Sequence, residues 1–143
     1  MDSKEHLRNI VDQFVEEYKN RQNPDIVDKY VADDCKFHLP FPNLPEGREG
    51  IRVNGRIMCS AFPDVHVVRE FFVTEDDIVV ERAHAKATHK GNIMGIAPTG
   101  KQVTWTELHA YRVKDNLITE IWSEADLMGV MMQIGAVKLP GSQ

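Results

Sequence analysis

The chain has 143 residues, 42% of them hydrophobic and 27% charged, with a formal net charge of −5. That size and balance predict a single soluble domain, residues 1–143, with a full core, and the acidic surplus speaks against nucleic acid or an anionic membrane as partner. No apolar run approaches the ~20 residues of a membrane span, no basic-then-apolar leader opens the chain, so the cytoplasm is the expected location, and Cys35 and Cys59 lack CxxC spacing, which predicts free thiols and no metal centre.

In chain order, Leu7, Ile10, Val11, Phe14, Val15 and Tyr18 are spaced as the buried face of an amphipathic helix. Asp2 or Ser3 can cap its start, and Glu5 suits its dipole. The opposite face, Lys4, Arg8, Asp12, Glu16 and Lys19, reads as charged and solvated. Tyr18 has two readings: a hydroxyl directed into a cavity, or a core ring with a wet tip. Asn23-Pro24 opens a shorter second helix with Ile26, Val27, Tyr30 and Val31 as its buried stripe. Residues 35–39 read as a short strand, followed by an irregular loop held by Pro40, Pro42 and Pro45. Residues 50–62 read as a third helix, weakened by Asn54 and Gly55 and broken by Pro63-Asp64.

Beyond position 65 the pattern changes to strands: 65–74, a turn at 75–77, then a long strand at 78–89. The loop 91–100 (GNIMGIAPTG) lacks the spacing of a phosphate-binding loop and reads as a cavity rim or lid. Residues 103–126 alternate with period two around Lys114-Asp115-Asn116, which predicts a hairpin, with Asn116 tolerating the positive φ of the turn. One face of its first strand carries Trp105, Glu107, His109 and Tyr111. With a two-residue turn, Glu107 faces Glu124, His109 faces Trp122 and Trp105 faces Asp126; a bulge would shift these partners. A short apolar helix follows at 127–134, stopped by Gly135. Helices first and then a meander of strands predict an α+β fold: a curved antiparallel sheet packed on N-terminal helices, forming a cone-shaped cavity suited to a small molecule.

Several stretches, taken in their order and spacing, resemble one known family. They are LPEGREG at 44–50 leading into a helix, AFPD at 61–64, THKG at 88–91, MGIAPTG at 94–100 and YRVKDN at 111–116. Ile121-Trp122 follows with Asp126 four residues after the Trp, then QIG at 133–135. Over nearly its whole length the chain is similar to the SnoaL-like polyketide cyclases, in the superfamily shared with ketosteroid isomerase and nuclear transport factor 2. Asn116 departs from a usual Gly, and Ala97 from a common Pro. The resemblance implies a cystatin-like, nuclear transport factor 2-like cone, a homodimer, and no metal or organic cofactor. It implies a lyase or isomerase that closes a ring by intramolecular aldol reaction on a polyketide ester, with an Asp near the end of the last strand as acid/base.

That Asp is Asp126 in this chain. Abstracting a proton beside a carbonyl needs a base in a dry pocket and a donor for the enolate oxygen. Asp126 as acid/base and His109 as enolate or carbonyl partner fit those roles, with Glu107 and Glu124 as reserve bases. Trp105 and Trp122 would wall a flat substrate. The alternatives stay open at this point. Asp126 directly precedes the last helix and can simply cap it, as it would be read without the resemblance. Glu107 and Glu124 can be surface acids paired with Lys or Arg, and His109 a half-buried hydrogen-bonded histidine. His38, before the Pro-rich loop, and His89, at a family position, are further substrate-binding candidates, as is Tyr18. His84 and His89, five apart, point to opposite faces and speak against a joint metal site. Arg82 and Arg112 read as structural partners of Glu81 or Glu120. Two other functions fit the same scaffold: a non-catalytic small-molecule binding module, and a hydrolase or dehydratase of the same superfamily.

Overall fold

The computed structural model describes residues 3–141; Asp2, one of the two expected caps, lies outside them. Four helices, α1 (Lys4–Val15), α2 (Val27–Tyr30), α3 (Arg48–Ala61) and α4 (Leu127–Gln133), accompany five strands. These are β1 (Val31–His38), β2 (His66–Glu75), β3 (Ile78–Thr88), β4 (Gln102–Lys114) and β5 (Leu117–Ala125), in the sheet order β1-β5-β4-β3-β2. The fold is the expected α+β cone, with a curved, unclosed sheet under the N-terminal helix. The strands from β2 to β5 are antiparallel, whereas β1 joins the edge parallel to β5. No described helix is long and apolar enough to cross a membrane.

The apolar stripe of α1 is buried as its spacing requires, and the Ser3 hydroxyl caps it by accepting from the His6 amide. The helix then continues through one π turn, Glu16–Asn20, in which the Arg21 amide donates to the Glu16 carbonyl. A π turn holds more residues per turn than an α turn. It brings Lys19 as well as Tyr18 against the sheet, so the expectation of a solvated Lys19 is corrected. Asp12 and Glu16, from the same charged stripe, clamp Arg69 of β2 at 2.9 and 2.8 Å, tying helix to sheet.

Two residues that weaken α3 as a helix turn out to serve its packing. A Cβ at Gly55 would meet the Tyr18 ring at 2.6 Å, so glycine is what allows α3 to approach α1 so closely. The Asn54 side-chain amide donates to the Tyr18 hydroxyl, which itself donates to the Ile51 carbonyl at 2.6 Å.

The β4–β5 hairpin has the predicted two-residue turn, with Asp115 and Asn116 both at positive φ. Its register changes beyond the turn. Lys114 and Val113 face Leu117 and Ile118, but Arg112 faces Glu120, leaving Thr119 as one extra residue on β5. Every later pair is displaced by one. Glu107 therefore faces Ala125 and His109 faces Ser123, in place of Glu124 and Trp122. Because side chains alternate across a strand, this slip moves Trp122 and Glu124 to the outer face of the sheet and Ser123 and Ala125 to the inner one.

Candidate active site

The inner row of β4, Trp105, Glu107, His109 and Tyr111, is buried under the helices. It floors a cavity of about 870 Å³, mouth included, roofed by Phe14, Tyr18, Ile51 and Met58 and closed on one side by Leu39–Phe41. On the neighbouring strand β3 the inner residues are mostly alanine, at 83, 85 and 87.

Glu107 is the centre of the polar wall. Its Oε1 accepts from Trp105 Nε1 at 2.8 Å. Its Oε2 accepts from Lys19 Nζ at 2.6 Å and lies 2.8 Å from His109 Nε2. Lys19 Nζ lies 3.1 Å from the same imidazole nitrogen. Burial pushes the Glu107 carboxyl up, but the Lys19 charge and the His109 hydrogen bond outweigh it and hold it well below the usual carboxylate range. Burial depresses Lys19, yet the charge of Glu107, joined by that of Glu81 when ionised, more than reverses this, so its ammonium persists above its ordinary range. The two shifts agree on a zwitterionic pair. Burial raises the Tyr111 and Tyr18 hydroxyls above their ordinary range, the acids Glu81 and Glu107 add to this at Tyr111, and both stay neutral.

His109 Nε2 stands between a carboxylate acceptor and an ammonium donor. Protonated, it donates to Glu107; deprotonated, it accepts from Lys19. The imidazole thus keeps a partner in both protonation states, the requirement for a group that takes and returns a proton. Glu81 adds a second buried acid. One of its oxygens, one of Glu107 and a ring nitrogen of His109 lie within 4.8 Å of one another. The cation that touches Glu107 and His109 is the Lys19 ammonium.

Of the residues expected at the site, His109, Glu107, Trp105 and Tyr18 line the cavity, although the Tyr18 hydroxyl is occupied by Ile51 and Asn54. The others lie elsewhere. Asp126 is exposed and caps α4, its carboxylate accepting from the Gly129 amide at 2.9 Å. The last strand ends before it, so the cap reading holds and Asp126 has no place in the cavity wall. Trp122 and Glu124 face outward because of the Thr119 bulge. His38 stacks on Trp122 at 5.6 Å and meets Glu120 at 2.9 Å on that outer face, away from the cavity. His89 is buried beyond the end of β3, where Nδ1 accepts from the Thr99 amide at 3.2 Å and so pins the 91–100 loop; it does not line the cavity. Arg82 turns to Glu70, not to Glu81, at 3.8 Å, and Arg112 pairs with Asp77 at 2.8 Å ahead of Glu120.

Sequence reasoning missed Lys19, Glu81 and Ser123. Glu81 left a signal: it is the one acid in an alternating row whose other members are Val79, Ala83, Ala85 and Ala87. Lys19 and Ser123 left none, since a π turn and a bulge set their directions.

A curved sheet capped by an N-terminal helix over an apolar cavity defines a nuclear transport factor 2-like cone. The SnoaL-like polyketide cyclase family profile matches residues 9–134, and the chain belongs to that family. Among solved structures, a proposed polyketide cyclase from Acidithiobacillus ferrooxidans is 31% identical, with a TM-score of 0.76 over 94% of this chain and 97% of that one. IdmH from Streptomyces antibioticus, another proposed polyketide cyclase, is 28% identical, with a TM-score of 0.78 over 90% and 98%. AclR from Streptomyces galilaeus, a proposed hydroxylase, is 23% identical and shares the fold, with a TM-score of 0.83 over 96% and 89%. No curated protein matches the sequence.

Proposed function

We propose that the protein is a cofactor-independent acid/base catalyst of intramolecular aldol ring closure on a polyketide ester-like carbonyl compound. The observation that carries this reading is the placement of His109 Nε2 between Glu107 and Lys19 at 2.8 and 3.1 Å. Neutral His109 takes a proton from the carbon beside a carbonyl, and the imidazolium so formed is stabilised by the Glu107 carboxylate. An ammonium has three donors. Glu107 and His109 engage two of those on Lys19, leaving one for the enolate oxygen, where positive charge in a dry site stabilises the developing anion most. The enolate carbon then attacks a second carbonyl of the same molecule. The new alkoxide takes its proton from His109, and the cycle closes with no net proton change. The apolar walls hold the folded chain of the substrate and exclude water. Asp126, the base implied by family resemblance, is replaced in this role by the imidazole.

The test is turnover of a polyketide ester by His109→Ala. A positioned general acid/base contributes roughly 10²–10⁴-fold, and the variant is expected to lose that much in kcat with a correctly folded spectrum. Binding with equal affinity but no turnover by the parent protein would instead favour a binding module.

A further inference from the structure

β3 carries a single acid in its inner row. Glu81 is 0% exposed, and neither of its carboxyl oxygens has a hydrogen-bond partner among the described residues. A carboxylate buried in this way is costly, and the neutral acid is much less so. Glu81 stands directly opposite His109 in the β3–β4 ladder. Nδ1 of His109, the nitrogen not engaged with Glu107 or Lys19, is also buried and unpartnered. The charged and titratable groups facing Glu81 are Lys19 from the π turn, Glu107, His109 and Tyr111 from β4, and Arg69 from β2.

We propose that Glu81 is the proton store of this site, exchanging one proton with His109 across the β3–β4 ladder while Lys19 and Glu107 remain an ion pair. The inference rests on the acid/base reading of His109 and adds a positioning residue to it, since Glu81 does not line the cavity and acts through the imidazole. A count of charges supports it. Lys19 and Glu107 cancel, and Arg69 is more than offset by Asp12 and Glu16, whose second charge lies on the more exposed helix face. One further proton then has two homes. On Glu81 it leaves acid and imidazole both neutral; on His109 it leaves a carboxylate facing an imidazolium. The exchange runs in the tautomer whose Nε2–H donates to Glu107: as the proton moves, the O–H bond of the acid breaks and an Nδ1–H bond forms to give the imidazolium, and the four groups stay neutral in sum. Burial raises the Glu81 carboxyl above the ordinary range, while Lys19 and His109 pull it back part of the way, so the neutral acid outlasts that of a solvated glutamate as pH rises.

The experiment is a carboxyl ¹³C NMR titration of substrate-free protein labelled at glutamate, with the Glu81 signal identified by its loss in Glu81→Gln. That signal is expected to titrate above the other glutamates, and to move higher still in His109→Phe, where the imidazolium that favours its ionised form is gone. A Glu81 carboxyl that titrates with the exposed glutamates overturns the proposal, as does an unchanged midpoint in His109→Phe. His109→Gln serves the same comparison if the Phe variant does not fold. Because no substrate is present, the titration stands whether or not the protein closes rings. Failure of the cyclase reading shows separately, as absent turnover in the parent protein.

Discussion

Against the two faces of the β4–β5 hairpin gather nearly the same sets of side chains, Lys19 joining from the π turn and His38 from β1. Inside stand an imidazole, a carboxylate, a cation and an indole: His109, Glu107, Lys19 and Trp105. Outside stand His38, Glu120, Arg112 and Trp122, with His38 on Glu120 at 2.9 Å and the Arg112 guanidinium 5.8 Å from the Trp122 ring. The inner carboxylate is 6% exposed and the outer histidine 56%. Composition therefore does not make the site. Inside, the charges have no water to screen them, and each shifts its neighbour. Outside, solvent supplies what the partners do not, and the contacts are worth little.

Removing the inner cation breaks this contrast most sharply. Lys19→Met leaves Glu107 buried without its counter-charge, and loss of one partner of a buried pair costs roughly 3–5 kcal/mol. The sign with pH follows from Glu107. Its native carboxyl is held low, so its contribution to stability is present above the unfolded value of ~4.3 and is lost as pH falls through the native one. In Lys19→Met burial is opposed only by His109, so the native carboxyl rises toward its unfolded value and the stability it lends above pH ~4.3 shrinks. Chemical denaturation should thus show the gap between the two proteins widest near neutral pH and narrowing toward pH ~3. A gap independent of pH would show that Lys19 acts by packing alone.

A smaller effect is expected at Asp126. Asp126→Ala removes the cap of α4 and should cost about 1 kcal/mol in the same denaturation experiment, while turnover stays within a few-fold of the parent. A hundredfold loss of turnover with little loss of stability would return the acid/base role to Asp126. The smallest change belongs to the outer cluster. Glu120→Gln should shift stability by about 0–1 kcal/mol, and that shift should fade as salt is added. An effect as large as that of Lys19→Met would mean the outer face is not open to solvent.

Much of the architecture was legible because it follows from periodicity. The α1 stripe, the three long strands and the turn at Asp115-Asn116 were all readable from residue spacing and turn chemistry. The inner row of β4 was readable too, since period two alone puts Trp105, Glu107 and His109 on one face. What could not be read were single-residue departures from period. Thr119 adds one residue to β5 and reverses the facing of Trp122, Ser123 and Glu124. The π turn at Glu16–Asn20 does the same for Lys19. Asp126 is a separate case: the family resemblance favoured a catalytic role, whereas its place before Leu127 already indicated the cap that the structure shows.

The hydrogen bond from Lys19 to Glu107 joins positions 88 residues apart. One half of the constellation is synthesised early and the other late, and neither the isolated sheet nor the isolated helix holds Lys19, Glu107 and His109 together. During refolding, competence should appear only with the last docking event, after most backbone structure has formed, because contacts so remote in sequence are slow to close. Under the proposed function, ring-closing capacity would then serve as a clock for the completion of this fold, ticking later than any spectroscopic measure of helix or strand.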